Sequence, residues 1–272
     1  RQRLVRLVGQ GWVLGDVRGS GHPISAAVVR FLGIPFAASP AGANRWRPPR
    51  PPASWWGTRA NPRNLLRAPQ PDEGWNGAQG KTVFSEHTLK DDEAGCLCLN
   101  VWTPEAALDG HGGKRPIVFY IHGGAGKLMS AHDDDYDGEK LCAAHGLCYV
   151  ACQYRLGALG FLAHPALSAE DEEEDEARPS TPRGSGCYAI LDIVAALRWV
   201  QRHAAAFGGD ADNVTIWGLS SGAQYVATLL VSPLASGLFH RAFIQSCVDL
   251  TNVRELRGRR DVWLDKTAEE WG

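Results

Sequence analysis

The sequence has no apolar run approaching the roughly 20 residues that a membrane-crossing helix needs. It has no excess of either charge. The 28 Lys and Arg stand against 30 Asp and Glu, a formal net charge of −2, so the basic footprint of a nucleic-acid partner is missing. The chain starts at Arg1 with no visible signal peptide, which points to a processed chain or a fragment and leaves the compartment open. Seven cysteines, at 96, 98, 142, 148, 152, 187 and 247, make an odd count, so at least one thiol is expected to be free. No pair of them has metal-ligand spacing, and no metal or cofactor is expected. Cys96-Leu97-Cys98 lies in a strand-like run, where alternate cysteines read as small apolar packers.

What is present is organised around Phe207 to Gly222, FGGDADNVTIWGLSSG. Val214-Thr215-Ile216-Trp217 is β-branched and aromatic without a charge, and reads as a short strand buried on both sides in a central position. Gly218-Leu219-Ser220-Ser221-Gly222 follows, and after it an apolar helical pattern with Ala223, Val226, Ala227 and Leu230 on one face. A G-x-S-x-G pentapeptide alone reads as well as a plain turn. Between a strand and a helix it reads as a nucleophile elbow, in which crowding demands small flanking residues and lifts Ser220 above a helix N-terminus. A second strand, Ile117 to Ile121, runs straight into His122-Gly123-Gly124-Ala125-Gly126. Glycines there let the backbone approach a substrate oxygen with its N–H groups turned toward it.

Several ordered motifs extend this pattern: FLGIPFA (31–37), RWRPP (45–49), CLCLNVWTP (96–104), IHGGAG (121–126), YRLGALGF (154–161) and ALRWVQ (196–201). Together with the elbow they resemble the type-B carboxylesterase and cholinesterase-like family over about residues 11–251. The resemblance implies an α/β-hydrolase fold, a mostly parallel central sheet with helices on both faces, as a single domain over 1–272. It implies a carboxylic ester hydrolase with Ser220 as nucleophile, the N–H groups of Gly123, Gly124 and Ser221 as oxyanion hole, and a small-molecule ester as substrate. In such enzymes the acid and then the histidine follow the serine, and the family's histidine lies some two hundred residues or more downstream. Only 52 residues follow Ser220 here, with the single histidine His240, which reads as a surface residue; His122 reads as structural. The expectation is therefore an N-terminal portion, truncated after the elbow helix and the following strand, inside a helix expected over Val262 to Trp271.

This chain also departs from the family. Leu219 replaces the usual glutamate before the serine, Tyr225 a small serine and Cys247 a glycine. Ala68-Pro69-Gln70 stands where a cysteine that would bridge to Cys96 is usual. A catalytically silent, cholinesterase-like binding or adhesion protein is the alternative, which retention of Ser220 and the glycine loop disfavours. Other expectations come from the residues alone. A hairpin pairs 11–15 with 28–32. Further strands fall near 97–102, 147–153 and 241–246. A helix over about 188–207 has the stripe Ile190, Ile193, Leu197, Val200, Ala204 and Phe207, ended by Gly208. Tryptophans 46, 55 and 56 should pin an irregular stretch to the core. The run Glu170 to Glu176 reads as a solvated, mobile surface-loop insertion over 168–185, because like charges repel and nothing there can bury apolar area. The sequon at Asn213 opens the elbow strand and is rejected as a glycan site.

Overall fold

The computed structural model describes residues 1–19, 27–71, 88–175 and 184–247. The elements are β1 (Gln2–Leu7), β2 (Gly11–Arg18), β3 (Val28–Pro35), β4 (Thr58–Ala60), β5 (Asn64–Arg67), β6 (Thr88–Asp91), β7 (Cys98–Pro104), α1 (Glu105–Leu108) and β8 (Arg115–Ile121). They continue as α2 (Glu139–His145), β9 (Cys148–Cys152), α3 (Gly157–Phe161), α4 (Pro165–Asp175), α5 (Tyr188–His203), β10 (Gly209–Leu219), α6 (Ser221–Val231) and β11 (Arg241–Gln245). None of the described helices is long and apolar enough to cross a membrane.

Among the described residues the main sheet runs β1-β2-β3-β7-β9-β8-β10-β11, with β4 beside β2. The parallel half is β9-β8-β10-β11. Along the path from β1 to β9, by contrast, each successive pair is antiparallel, while β4 runs parallel to β2 beside that path. The largely parallel sheet read from the sequence thus holds for the half that carries Ser220. In the other half a short turn joins β1 to β2, and a connection that short can only return the chain antiparallel. β2 and β3 form the expected hairpin, but through Asp16, Val17 and Arg18 paired with Arg30, Val29 and Val28 and not through 11–15; its tip at 20–26 and the expected helix over 262–271 lie outside the described residues. Sequence reasoning missed β1.

Strand alternation builds two cores. From β8, Ile117, Phe119 and Ile121 face a core shared with Ile193, Leu197 and Val200 of α5 and Val226 and Leu229 of α6. Tyr120 faces the other side, with Trp102, Tyr149 and Cys142 of α2. Side chains on a strand point alternately to opposite faces, so one apolar strand feeds both layers, and helices cover both faces. On α5 the expected stripe is buried apart from Ile190, which is half-buried against the same core. The helix tightens into a 3-10 turn over Ala204–Phe207 and ends at Gly208 with φ 72°, the left-handed cap.

Four expectations change. On α6 the buried apolar residue of the third turn is Leu229; Leu230 is 52% exposed, because the stripe follows the core and not the neighbouring position. Trp55 packs on the core, and Trp46 donates Nε1–H to Ala158 O at 2.9 Å, but Trp56 is fully exposed. The acidic run is helical through Asp175, not a loop. Glutamate is a good helix former, Pro165 suits the first turn, and Glu170 pairs with Arg47 at 2.7 Å. The segment 176–183 lies outside the described residues. Finally, β10 is a longer strand than 214–217, starting at Gly209. All seven cysteines are free, and Cys96, Cys98, Cys142, Cys148 and Cys152 are buried. Cys96 shares its core cluster with Ala68, so packing occupies the place of the bridge.

Candidate active site

Ser220 lies between the end of β10 and the first residue of α6. Its backbone is at φ 57°, ψ −121°, a conformation that L-residues adopt only when the surroundings impose it. The surroundings are visible on each side. The Ser220 N–H donates to Gln245 O at 3.0 Å, and the Ser220 carbonyl accepts from the N–H groups of Ala223 and Gln224. A Cβ on Gly218 would lie 2.2 Å from Gly222 O, and one on Gly222 would lie 2.2 Å from Ile121 O. Both flanks must be glycine because backbone, not a movable side chain, fills the space.

The glycine loop leaves β8 beside this turn, because β8 and β10 are parallel neighbours with Ile121 opposite Gly218. A Cβ on Gly123 would lie 2.8 Å from Leu219 O and 3.2 Å from Ser220 Cβ, so the loop is pressed against the elbow. Gly124 has φ 103°, and a Cβ there would strike Leu128 O at 2.2 Å. The structure therefore brings Gly123 against Ser220 and its neighbour Ser221, with Gly124 next in the same loop. Among the described residues no acceptor takes the N–H of Gly123 or Gly124. The N–H of Ser221 opens α6, where the first turn of a helix has no intrahelical acceptor.

His122 is fully buried. Its ring stacks on Tyr154 with centroids 4.3 Å apart, and its Nδ1 bonds Gly123 O at 2.8 Å. Burial pulls its pKa down to about 4 from 6.5, so the imidazole is neutral at pH 7 and Nδ1 carries the proton that the carbonyl accepts. This has a consequence for stability. Between pH 6.5 and 4 the unfolded chain binds a proton at this histidine that the folded chain refuses. Stability is whole above pH 6.5 and falls as the pH drops toward 4. His122 alone is expected to lower unfolding free energy by about 3 kcal/mol between pH 7 and pH 4. Urea titrations at pH 7, 5.5 and 4 measure this, and an unchanged midpoint between pH 7 and 5.5 would contradict the assignment.

His240 takes no part at the elbow. It exchanges hydrogen bonds with Val214, six residues before Ser220 along β10, hence about 20 Å away along the strand. Leu219 and Tyr225 do border the site. Tyr225 stacks on Phe161 and meets Tyr154 edge-on, and burial pushes its phenol up to about 12. Sequence reasoning passed over two residues. One is Tyr154, whose hydroxyl donates to His122 O at 2.7 Å. The other is Asp192, which pairs with Arg155 directly after Tyr154, at 2.7 and 2.8 Å. A charge inside the apolar stripe of α5 was the available signal for Asp192. For Tyr154 the only signal was its place at the end of a strand beside the glycine loop.

Among the described residues no group of three His, Cys, Asp or Glu could hold a metal ion. A cavity of about 430 Å³ lies elsewhere, between β2, β3 and the segments around Asn61 and Gly95. Four strand steps separate β3 from β10, about 19 Å, so this space does not adjoin Ser220.

The Carboxylesterase family profile matches residues 3–272. The chain is 41% identical over 229 residues to the fumonisin B1 esterase of Sphingopyxis macrogoltabida, covering 84% of this chain and 38% of that protein. It is 39% identical over 252 residues to the human cocaine esterase, covering 90% and 40%. Among solved structures, a PNB esterase superposes with TM-score 0.72 at 32% identity, covering 90% of this chain and 44% of the other. Juvenile hormone esterase from Manduca sexta superposes with TM-score 0.73 at 27% identity, covering 91% and 41%. The chain thus spans about two-fifths of the length of the curated relatives it matches. Its fold is that of the α/β-hydrolase esterases over the same stretch, and the chain belongs to the carboxylesterase family.

Proposed function

We propose that this chain carries the nucleophile and the oxyanion hole of a carboxylic ester hydrolase that works through an acyl-enzyme. Ser220 Oγ attacks the ester carbonyl of a small-molecule substrate. The carbonyl oxygen, now an anion, is held by the N–H groups of Gly123, Gly124 and Ser221. Collapse expels the alcohol and leaves the acyl group on Ser220, which water then removes. The observation that carries this reading is the positive φ of Ser220, maintained by neighbouring backbone against which the glycine loop is pressed, with no acceptor for the N–H groups of Gly123 and Gly124 among the described residues. Structure spends strain of this kind where a side chain must be presented. Similarity to proteins described as esterases supports the same reaction.

A serine hydroxyl needs a base to take its proton at neutral pH. In this reading the base and the acid that orients it come from outside residues 1–272. His122 is neutral with Nδ1 committed to Gly123 O, and His240 stands at the wrong end of β10.

A fluorophosphonate probe for activated serines tests both parts. In the full-length gene product we expect one label on the tryptic peptide His203–Arg241, absent in Ser220→Ala. Label on another peptide, or label surviving in that variant, overturns the nucleophile assignment. Residues 1–272 alone should not label at the same probe concentration. Stoichiometric labelling of that polypeptide at Ser220 would show that a base lies within it.

A further inference from the structure

The oxyanion loop presents a puzzle of direction, since a glycine-rich backbone has no side chains of its own to set where its peptides point. Two hydrogen bonds answer it. The Tyr154 hydroxyl donates to His122 O at 2.7 Å, and His122 Nδ1–H donates to Gly123 O at 2.8 Å. In a trans peptide the carbonyl and the following N–H point in opposite directions. Fixing the carbonyl of His122 therefore fixes the N–H of Gly123. Fixing the carbonyl of Gly123 fixes the N–H of Gly124.

We propose that Tyr154 and His122 form a positioning clamp: they draw two successive carbonyls inward so that the N–H groups of Gly123 and Gly124 face outward toward Ser220. This rests on the reading of that loop as the oxyanion hole. Neither side chain touches substrate; both act through the backbone. The pair is itself held rigidly. Both are fully buried, with their rings stacked at 17°. Residue 155, next in the chain, is locked by Asp192 through both guanidinium and backbone N–H. The hydroxyl of Tyr154 keeps its proton, because burial holds its ionisation well above the ordinary phenol range. His122 is likewise held neutral, so the clamp has one protonation state across the neutral range.

The test is the rate at which the full-length protein reacts with the phosphonate probe, separated into probe affinity (KI) and maximal rate (kinact). Tyr154→Phe keeps the ring and its stacking but removes the donor to His122 O. Its kinact is expected to fall about 10- to 100-fold with KI unchanged, the scale on which a misplaced catalytic group acts. His122→Ala should lose a similar factor. His122→Asn should recover most of it, since the amide Nδ2–H can stand where Nδ1–H stood. Rates are expressed per folded molecule, from thermal melts of each variant, so that loss of stability alone does not register. Tyr154→Phe reacting at the wild-type kinact overturns the clamp while leaving Ser220 in place. Equal losses in His122→Asn and His122→Ala also overturn it. Absence of label on the wild-type protein overturns the oxyanion-hole reading and the clamp with it.

Discussion

Asp192→Ala is expected to remove a large share of the protein's stability, about 3–5 kcal/mol. The carboxylate is fully buried and meets Arg155 bidentately at 2.7 and 2.8 Å, while also accepting the Arg155 backbone N–H at 3.1 Å. The guanidinium spends its remaining reach on Arg47 O at 2.9 Å. Alanine would leave a cation in the core with no counter-charge and no route to water. Breaking a buried pair from one side costs about 3–5 kcal/mol, against a total stability of about 5–15 kcal/mol for a domain. The double replacement Arg155→Met with Asp192→Leu should be less harmful than either single change, because it removes both charges instead of stranding one. Urea unfolding followed by far-UV circular dichroism measures the series. A loss below about 1 kcal/mol for Asp192→Ala would mean that water or another anion reaches Arg155, and that the pair does not organise the segment after β9.

Gly222→Ala is expected to abolish reaction at Ser220 while leaving much of the fold in place. The added carbon would lie 2.2 Å from Ile121 O and 2.6 Å from His122 O. Those atoms belong to the end of β8 and the start of the glycine loop, so relief requires moving the backbone that carries the proposed oxyanion donors. Overpacking of this kind costs about 1–3 kcal/mol in stability. The displacement acts on the reacting geometry, where a misplacement of about 1 Å costs about 100-fold. Phosphonate labelling of the full-length variant, normalised to folded protein, should fall by at least about that factor. Wild-type labelling would show that the loop can shift without disturbing Ser220, contrary to the contacts seen. Gly218→Ala, whose Cβ would meet Gly222 O at 2.2 Å, should behave in the same way.

The sequence by itself determined the strands of the central sheet other than β1 and β4, the buried face of α5 and the strand–turn–helix around Ser220. An uncharged β-branched run, a glycine-flanked serine and an apolar helical period are local signals, each carried within about ten residues. It also carried the family, since its ordered motifs lie within the stretch that the comparisons match. Where it failed, the deciding contact was distant in sequence. The acidic run was read as a loop from its own charges, but Arg47 pairs with Glu170 across 123 positions. Leu230 was placed on the buried face of α6 by spacing, yet the core lies on the side of Leu229. Asp192 was passed over in the sequence, and its part shows only in the buried pair it makes with Arg155, 37 positions away. Only the tertiary structure decided what holds the glycine loop. Tyr154 comes 32 positions after His122, and the parallel pairing of β8 with β9 is what sets their rings face to face. Propensity and periodicity act along the chain, whereas charge pairing and peptide orientation are settled between elements that meet only on folding.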